Sequence, residues 1–268
     1  DWKKTRTCRP RGLNLKINMA SKPLFAFFGT SADSQFALAQ LERRGLVPAL
    51  VVDTKELPIE LYNTDWDFFV VASYGKILPK KILDLPKRGC INIHPSLLPK
   101  FRGPSPYVSA ILQDERHTGV TVMHMAEKMD AGPVLAQARI EIAVEDWPPK
   151  GLMLSEMLFT EGANLLADAL PLLLRGELAA EAQNEAEATY TKKCTDADAL
   201  LDLSGSPRGQ FLKVRAFDKN PRAYFINAKN KRVIVTDAEF KDNKLEILKV
   251  IPEGKKEMLY ADYLRGQK

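Results

Sequence analysis

The spacing of short apolar runs constrains the fold of this 268-residue chain more than any other feature of its sequence. Five such runs occur in the N-terminal half, at residues 24–28, 47–52, 68–72, 90–93 and 119–125. Segments with apolar residues at helical spacing separate several of these runs, as after Gly29 and over residues 106–113. Strands that alternate with helices predict an open, mostly parallel, Rossmann-like α/β sheet.

A different pattern follows the long helical stretch at residues 152–175. Residues 177–198 are acidic and Ala-rich and then contain lysines, a composition that suits a linker. Beyond Phe211, turn-forming residues separate short apolar runs at 223–226, 233–235 and 245–248. This pattern predicts a small antiparallel β-domain, which we expect to be a barrel of the OB type.

These patterns divide the chain into four parts. We assign residues 1–18 to a basic leader, 19–176 to an α/β domain, 177–198 to a linker and 199–268 to the β-domain. The leader lacks the apolar stretch of a secretory signal, and Met19 stands directly before the first apolar run. We therefore interpret the leader as an added or upstream-translated extension, the alternative being a basic arm that contacts nucleic acid.

Charge is distributed unevenly among these parts. Residues 1–18 carry a net charge of +5, residues 19–190 a net charge of −6, and residues 191–268 a net charge of +6. A basic region attached to an acidic body suggests an anionic macromolecular partner, for which a phosphate backbone is the usual choice. A solvated, Lys-rich surface would carry the same charge.

Cysteine use and hydropathy exclude several classes of protein. Cys8, Cys90 and Cys194 show no C-x-x-C spacing, which argues against a disulfide framework and against a zinc site. Scattered cysteines fit a reducing cytosol, so we expect a cytoplasmic protein. No run of about 18 or more apolar residues occurs, and we therefore expect no membrane-spanning segment.

Asn92 and His94 are the first candidates for chemistry. They are two residues apart in an extended run, so that their side chains project from the same face at the point where the strand gives way to a Pro-rich loop. An isolated histidine here would more often be structural. An amide and an imidazole side by side can present N–H donors to an oxygen that acquires charge, as acyl transfer requires.

Asp130 is the third candidate, since it lies in a turn between two apolar runs and could orient a histidine or relay a proton. Alone, it would be read as a turn-forming residue before Ala-Gly-Pro. His117 and His124 are interpreted as structural or exposed. Gly29 and Thr30 lie at a strand-to-helix turn that could meet an anion, although we favour the simpler explanation of a tight turn required by the fold.

Longer motifs then identify a family. Residues 92–103, NIHPSLLPKFRG, closely resemble the signature of the formyltetrahydrofolate-dependent formyltransferases, and so do TGVTVM at 118–123 and MDAGP at 129–133. Members of this family act on methionyl-tRNA, glycinamide ribonucleotide or nucleotide-linked amino sugars. Further segments resemble the methionyl-tRNA type: FFGT at 27–30, ASYGKILP at 72–79, the loop at 98–106, KVRAF at 213–217 and PRAYF at 221–225.

The resemblance implies an activity. A formyl group would pass from 10-formyltetrahydrofolate to the α-amine of methionine on the initiator tRNA, on a monomeric enzyme without a metal. By analogy, Asn92 and His94 would stabilise the oxyanion, while Asp130 would tune His94 and help to shuttle the proton. The α/β domain would be catalytic, and the β-domain would hold the tRNA through its phosphates.

The resemblance also implies where the substrates bind. The residues expected to contact folate are Tyr74, Gly75, Lys76, Ile77, Leu78, Ser96, Leu97, Leu98 and Pro99. The residues expected to contact the acceptor are Gly29, Thr30, Lys100, Arg102, Gly103, Lys213 and Arg215. For Lys100 and Arg102 the alternative is that they are solvated loop charges.

One segment departs from the family pattern. Family members usually have a longer stretch between Val52 and Asp65, including a basic loop that enters the tRNA acceptor stem. Two other functions therefore remain open: a formyltransferase for an amino-sugar nucleotide or another small amine, and a folate- or RNA-binding protein without turnover. A nicotinamide oxidoreductase would need a G-x-G-x-x-G motif, which is absent.

Overall fold

The computed structural model describes residues 22–266 and the backbone of Lys4–Thr7. Of the leader expected at residues 1–18, everything but this short strand lies outside the described residues. The chain forms two compact units. The first comprises the residues up to Pro106, His117–Ile142 and Ser155–Thr191, and the second comprises Tyr107–Arg116, Ala143–Leu154 and the residues from Lys192 onward.

The first unit is built on a seven-stranded sheet. Its strands are β1 (Lys4–Thr7), β2 (Phe25–Phe28), β3 (Leu50–Val52), β4 (Phe68–Val71), β5 (Cys90–His94), β6 (Thr118–His124) and β7 (Val134–Ile140). Their order across the sheet is β1-β7-β6-β5-β4-β2-β3. The predicted α/β sheet is thus confirmed, with a Rossmann-like parallel part.

The expectation of a mostly parallel sheet is wrong. The pairs β3–β2, β2–β4 and β4–β5 are parallel, whereas the pairs β5–β6, β6–β7 and β7–β1 are antiparallel. The short connection between β6 and β7 forms a hairpin, and hairpins join antiparallel strands. The alternation of apolar runs indicates which residues form strands but not their directions.

Aromatic residues fill the interior of the parallel part. Phe25 and Phe68 stack with ring centroids 5.0 Å apart, and all four residues of β2 are buried. Burying one such side chain contributes about 1.5–3 kcal/mol. Helix α1 (Ala32–Arg43) follows β2 directly, and the Ser31 side chain caps it by accepting the Ser34 N–H. These contacts fix the carboxyl end of β2.

Shorter helical elements complete the first unit. Helix α2 covers Lys80–Leu83, and a 3-10 helix covers Ile59–Tyr62 in the stretch between β3 and β4. A cavity of about 310 Å³ opens beside this stretch and is lined by residues between Leu50 and Glu60. None of the three candidate catalytic residues lines it.

Helix α3 (Pro106–Leu112) and helix α4 (Gly151–Arg175) each have residues in both units. By length and composition, α4 could cross a membrane. The core helix of a globular protein passes the same test, and 67% of the most apolar window of α4 is buried within the protein.

The second unit contains a four-stranded antiparallel sheet in the order β11-β10-β9-β8. Its elements are α5 (Pro207–Ala216), β8 (Tyr224–Ile226), β9 (Arg232–Lys241), β10 (Lys244–Pro252), β11 (Met258–Leu259) and α6 (Tyr260–Arg265). Asp242 and Asn243, both with positive φ, form the tight turn between β9 and β10.

The expected antiparallel domain is therefore present, but the expected barrel is not confirmed. Among the described residues the sheet is open, with β8 and β11 at its two edges. These edge strands have only three and two residues, too few for a long ladder to close the sheet.

The segment at residues 177–198, expected to be a linker, is largely packed within the first unit. Glu181 and Val134 exchange two backbone hydrogen bonds, of 2.7 and 2.8 Å. Arg102 donates its backbone N–H to Thr189 O at 2.8 Å, and Thr191 returns its own N–H to Arg102 O at 2.7 Å. Residues 181–191, called here the 181–191 segment, thus run alongside the loop that follows β5.

Candidate active site

Asn92 and His94 lie on β5, the strand at which the sheet changes from parallel to antiparallel pairing. Because they are two positions apart, their side chains project from the same face of the strand. Asn92 is partly buried and His94 is 4% exposed. His94 is the last residue of β5, at the carboxyl edge where ligands bind in open α/β sheets.

The two ring nitrogens of His94 have different partners. Nε2 lies 3.1 Å from the carbonyl oxygen of Phe101. A carbonyl can only accept, so Nε2 carries a proton and donates it. Nδ1 lies 3.7 Å from Oδ1 of Asp130, which is too far for a direct hydrogen bond but within the reach of an ion pair when the ring is protonated.

Asp130 is held in a turn that aims its carboxylate at this ring. Its backbone has a φ of 50°, in the left-handed region. Oδ2 accepts the Gly103 N–H at 2.7 Å, which leaves Oδ1 facing His94. Two residues on, a side chain at Gly132 would place its Cβ 1.8 Å from the carbonyl oxygen of His124, so this turn requires glycine.

The loop after β5 is fixed by side chains from the neighbouring antiparallel strands. Thr121 Oγ1 donates to Ser96 O at 2.7 Å and accepts the Leu98 N–H at 3.1 Å. Gln137 Nε2 donates to Leu98 O at 2.7 Å. This loop continues to the Phe101 carbonyl that accepts the hydrogen bond from His94 Nε2, so its conformation sets the orientation of the ring.

The residues of the 74–78 segment, all expected to bind folate, differ in exposure. Tyr74 is buried against Phe28, with ring centroids 5.4 Å apart, and burial raises the pKa of its hydroxyl. Its backbone carbonyl accepts a hydrogen bond from Thr30 Oγ1 at 2.7 Å. The Tyr74 side chain therefore belongs to the core, whereas Gly75, Lys76 and Ile77 are exposed and could meet a ligand. Leu78 is buried as well.

The remaining loop residues expected to bind folate or the acceptor vary in accessibility. Ser96 and Leu98 are buried, whereas Leu97 and Pro99 are partly buried. Lys100 and Thr30 are exposed, and Gly29 is buried at the turn before α1. In the loop at residues 96–100, Lys100 is therefore the residue open to a large substrate.

Arg102 does not fit the expected contact with the acceptor. Its side chain has 0% relative exposure. The guanidinium donates to Gln183 Oε1 from Nε at 3.1 Å and from Nη2 at 2.8 Å, and Nη2 also donates to Glu185 Oε1 at 2.8 Å. The hydrogen bond to Glu185, with a smaller contribution from Tyr190, raises the pKa of Arg102. A guanidinium enclosed in this way is paired within the protein and is not open to a substrate.

Lys213 and Arg215, on α5 of the second unit, are also engaged within the protein. Lys213 Nζ donates to Leu200 O at 2.8 Å, and Arg215 Nε donates to Pro148 O at 2.8 Å. Burial lowers the pKa of Arg215, whose guanidinium lies over the Phe211 ring. These contacts position α5, so neither side chain projects freely toward an acceptor as expected.

Gln183 is another contact residue of this region that the sequence did not indicate. Its Nε2 donates to Asp130 O at 2.8 Å and to Gly132 O at 2.7 Å. Fifty-three residues separate Gln183 from Asp130, and the composition around it suggested a linker. No local sequence pattern could have revealed the contact. To predict it, one would first have to know that the 181–191 segment pairs with β7.

Within residues 22–266, no group of three or more His, Cys, Asp or Glu side chains is arranged to hold a metal ion. The arrangement around His94 instead combines N–H donors with a carboxylate. Donors of this kind can stabilise an oxyanion, and the carboxylate can stabilise a protonated imidazole.

Comparison with known proteins agrees with this chemistry. The family described as Formyl transferase matches residues 29–152. The methionyl-tRNA formyltransferase of Bacillus licheniformis is 37% identical over 224 residues, which cover 75% of this chain and 70% of that protein.

Solved structures share the fold at lower identity. A methionyl-tRNA formyltransferase from Clostridium thermocellum superposes with a TM-score of 0.66 at 18% identity, covering 85% of this chain and 98% of that one. HypX from Aquifex aeolicus in complex with tetrahydrofolic acid gives a TM-score of 0.69 at 19% identity, covering 91% and 47%. The sequence identity over most of both chains decides the assignment: this chain belongs to the methionyl-tRNA formyltransferase family.

Proposed function

We propose that this protein transfers the formyl group of 10-formyltetrahydrofolate to the α-amine of methionine on initiator tRNA. The observation that carries the proposal is the arrangement at the end of β5, where His94 faces the Asp130 carboxylate beside the Asn92 amide. The identity with a methionyl-tRNA formyltransferase over 75% of the chain supports the acceptor.

The side chains at the site suit this reaction. Bound 10-formyltetrahydrofolate supplies a formyl carbon that an amine can attack, with negative charge developing on the formyl oxygen. Asn92 stabilises that charge by donating N–H groups, and His94 stabilises it through the positive charge of its imidazolium form. Asp130 stabilises the imidazolium form of His94 and helps to carry the proton that the amine loses, directly or through a water.

We assign folate to the exposed backbone and side chains of Gly75, Lys76 and Ile77 and to the loop after β5. The tRNA is assigned to the basic part of the chain, residues 191–268, with its net charge of +6. In this proposal residues 19–176 are catalytic and residues 199–268 bind tRNA. The protein acts as a monomer in the cytoplasm and needs no metal or membrane.

The test is a formylation assay with charged initiator methionyl-tRNA and 10-formyltetrahydrofolate. The wild type is compared with the Asn92→Ala/His94→Ala double variant and with His117→Ala, an exposed histidine away from the site. We expect turnover in the wild type and in His117→Ala, and none above background in the double variant. Equal rates in all three would refute the assigned site.

Two further arms test the alternatives. In the first arm, an amino-sugar nucleotide replaces the tRNA as acceptor. Turnover with this nucleotide and none with methionyl-tRNA would show that the protein formylates small amines. Asp130→Ala is measured for both folate binding and turnover. A protein that only binds folate would show no turnover in the wild type and would lose little folate affinity in this variant.

A further inference from the structure

Both N–H donors and the oxygen of the Gln183 carboxamide form hydrogen bonds at the candidate site. Its Nε2 donates to the carbonyl oxygens of Asp130 and Gly132, at 2.8 and 2.7 Å. Its Oε1 accepts from Nε and Nη2 of Arg102, at 3.1 and 2.8 Å. One side chain therefore connects the turn that carries the carboxylate to the loop that follows β5.

The first pair of contacts fixes an unusual backbone conformation. Asp130 has a φ of 50°, which non-glycine residues seldom adopt. Such a conformation persists only where the surroundings hold it. Gln183 holds two carbonyls of the turn, that of Asp130 itself and that of Gly132. The direction of the carboxylate thus depends on these two donors.

The second pair of contacts acts on the partners of the catalytic pair. Arg102 lies between Phe101, whose carbonyl accepts from His94 Nε2, and Gly103, whose N–H donates to Asp130 Oδ2. Holding the Arg102 side chain restrains both backbone groups. Glu185 also accepts from Arg102, at 2.8 Å, so the arginine keeps one acceptor without Gln183. The donors to Asp130 and Gly132 have no such substitute among the contacts described.

We propose that Gln183 is a positioning residue for formyl transfer. It sets the direction of the Asp130 carboxylate and, through Arg102, the backbone groups of Phe101 and Gly103 that hold the pair of Asp130 and His94. Gln183 acts through these groups and does not touch the reacting atoms. This inference rests on the function proposed above.

The test compares two variants that each replace an amide by an apolar side chain of similar shape. Gln183→Met removes the donors to Asp130 and Gly132. Asn184→Leu is the matched control, because Asn184 bonds only within the 181–191 segment, to Glu187 and to the Ala186 N–H. Both variants lose hydrogen bonds in the same segment, and only the first loses contacts with the site.

Three kinds of measurement are made on each variant. Steady-state kinetics give kcat and KM for both substrates, thermal unfolding gives the melting temperature, and NMR gives the 15N chemical shifts of the His94 ring. The chain has three histidines, so the His94 signals are assigned by their loss in His94→Ala. We expect kcat of Gln183→Met to fall roughly 10- to 100-fold, since a displacement of about 1 Å can have this effect, with KM changed less than about twofold. Its His94 ring shifts should move, whereas Asn184→Leu should match the wild type in all but melting temperature.

Gln183→Glu is the second variant, for use if Gln183→Met does not fold. It keeps the acceptor for Arg102 and loses the donors when ionised, so kcat should fall at neutral pH and recover in part at lower pH as the new carboxyl regains a proton to donate. Asn184→Asp, with the same added charge, is its control.

The inference is overturned if the folded Gln183 variants have the kcat and His94 ring shifts of their Asn184 controls. A lower melting temperature with unchanged kcat would likewise assign Gln183 a merely structural part. The ring shifts are read without substrate. If the wild type does not formylate methionyl-tRNA, the ring shifts still decide whether Gln183 orients Asp130 and His94. Failure of the proposed function can therefore be distinguished from failure of this inference.

Discussion

At the scale of single residues, the site depends on where backbone groups are held. His94 donates to a backbone carbonyl, and Asp130 accepts a backbone N–H. The loop after β5 supplies both groups, so the His94 and Asp130 side chains are oriented by a backbone that other hydrogen bonds hold in place. Such orientation matters because a donor stabilises developing charge only if it already points at it.

Asn92→Ala tests the role of the amide. Removing one donor from an oxyanion site lowers kcat by about 10²- to 10³-fold. We expect this loss with little change in folate affinity, since the role proposed for Asn92 is to stabilise the oxygen as charge develops. Steady-state kinetics and a folate titration measure the two effects. Reduced folate affinity with normal kcat would place Asn92 in ground-state binding instead.

Gly132→Ala tests the close approach of the turn to β6. An alanine Cβ would lie 1.8 Å from the His124 carbonyl oxygen, so backbone must move. We expect unfolding in urea to show a destabilisation of about 2–4 kcal/mol, with loss of activity, as for other overpacked sites. Gly209→Ala, whose nearest contact would be at 3.6 Å, is the control and should be neutral or slightly stabilising. A Gly132→Ala protein of wild-type stability would contradict the geometry.

At the scale of elements, the 181–191 segment joins the loop after β5 to the turn after β6. Its charged contact is between Glu185 and two cations, Arg102 at 2.8 Å and Lys128 at 2.5 Å. The Arg102 and Lys128 side chains lower the pKa of Glu185 to about 2. The ionised form of Glu185 therefore favours the folded protein.

This contact predicts a loss of stability in acid. The folded pKa of Glu185, about 2, lies below its ordinary value of 4.5, so the contribution is complete above about pH 4.5 and disappears as the pH falls toward 2. We expect the melting temperature of the wild type to exceed that of Glu185→Gln by a constant amount above about pH 5. The difference should shrink below that pH, and a difference that does not change down to pH 2 would contradict the assignment.

The sequence predicted the elements better than their arrangement. The strands β2, β4, β5 and β6 lie within a few residues of the predicted apolar runs, because burial on both faces marks such strands locally. Strand direction, the position of β7 between β1 and β6 and the open second sheet were missed, since each depends on pairing between distant residues. The burial of Arg102 was missed for the same reason: its acceptors lie more than 80 residues away.

At the scale of the whole molecule, charge separates the two proposed tasks. The acidic stretch, residues 19–190, contains the candidate catalytic residues, and the basic stretch, residues 191–268, contains the antiparallel sheet of the second unit. Lysine side chains are exposed along that sheet, among them Lys231, Lys241, Lys244 and Lys249. Exposed cations of this kind suit a phosphate backbone.

Salt should therefore affect the two substrates differently. Contacts with phosphates release counterions, so the Kd for methionyl-tRNA should rise steeply with salt concentration. The Kd for folate should change little between the same salt concentrations. Filter binding for the tRNA and fluorescence titration for folate measure the two slopes. Equal slopes would argue against residues 191–268 as the RNA contact.

The pairing of the 181–191 segment with the loop after β5 also affects the order in which the protein matures during synthesis. Arg102 and Tyr190 are 88 residues apart, and Asp130 and Gln183 are 53 residues apart. A ribosome releases the chain from its N-terminus, so every strand of the first sheet has emerged before Gln183 does. The sheet can form without the segment, but the turn at Asp130 acquires its last restraints only afterwards. The pair of Asp130 and His94 is thus completed late, after most of the domain that carries it has been made.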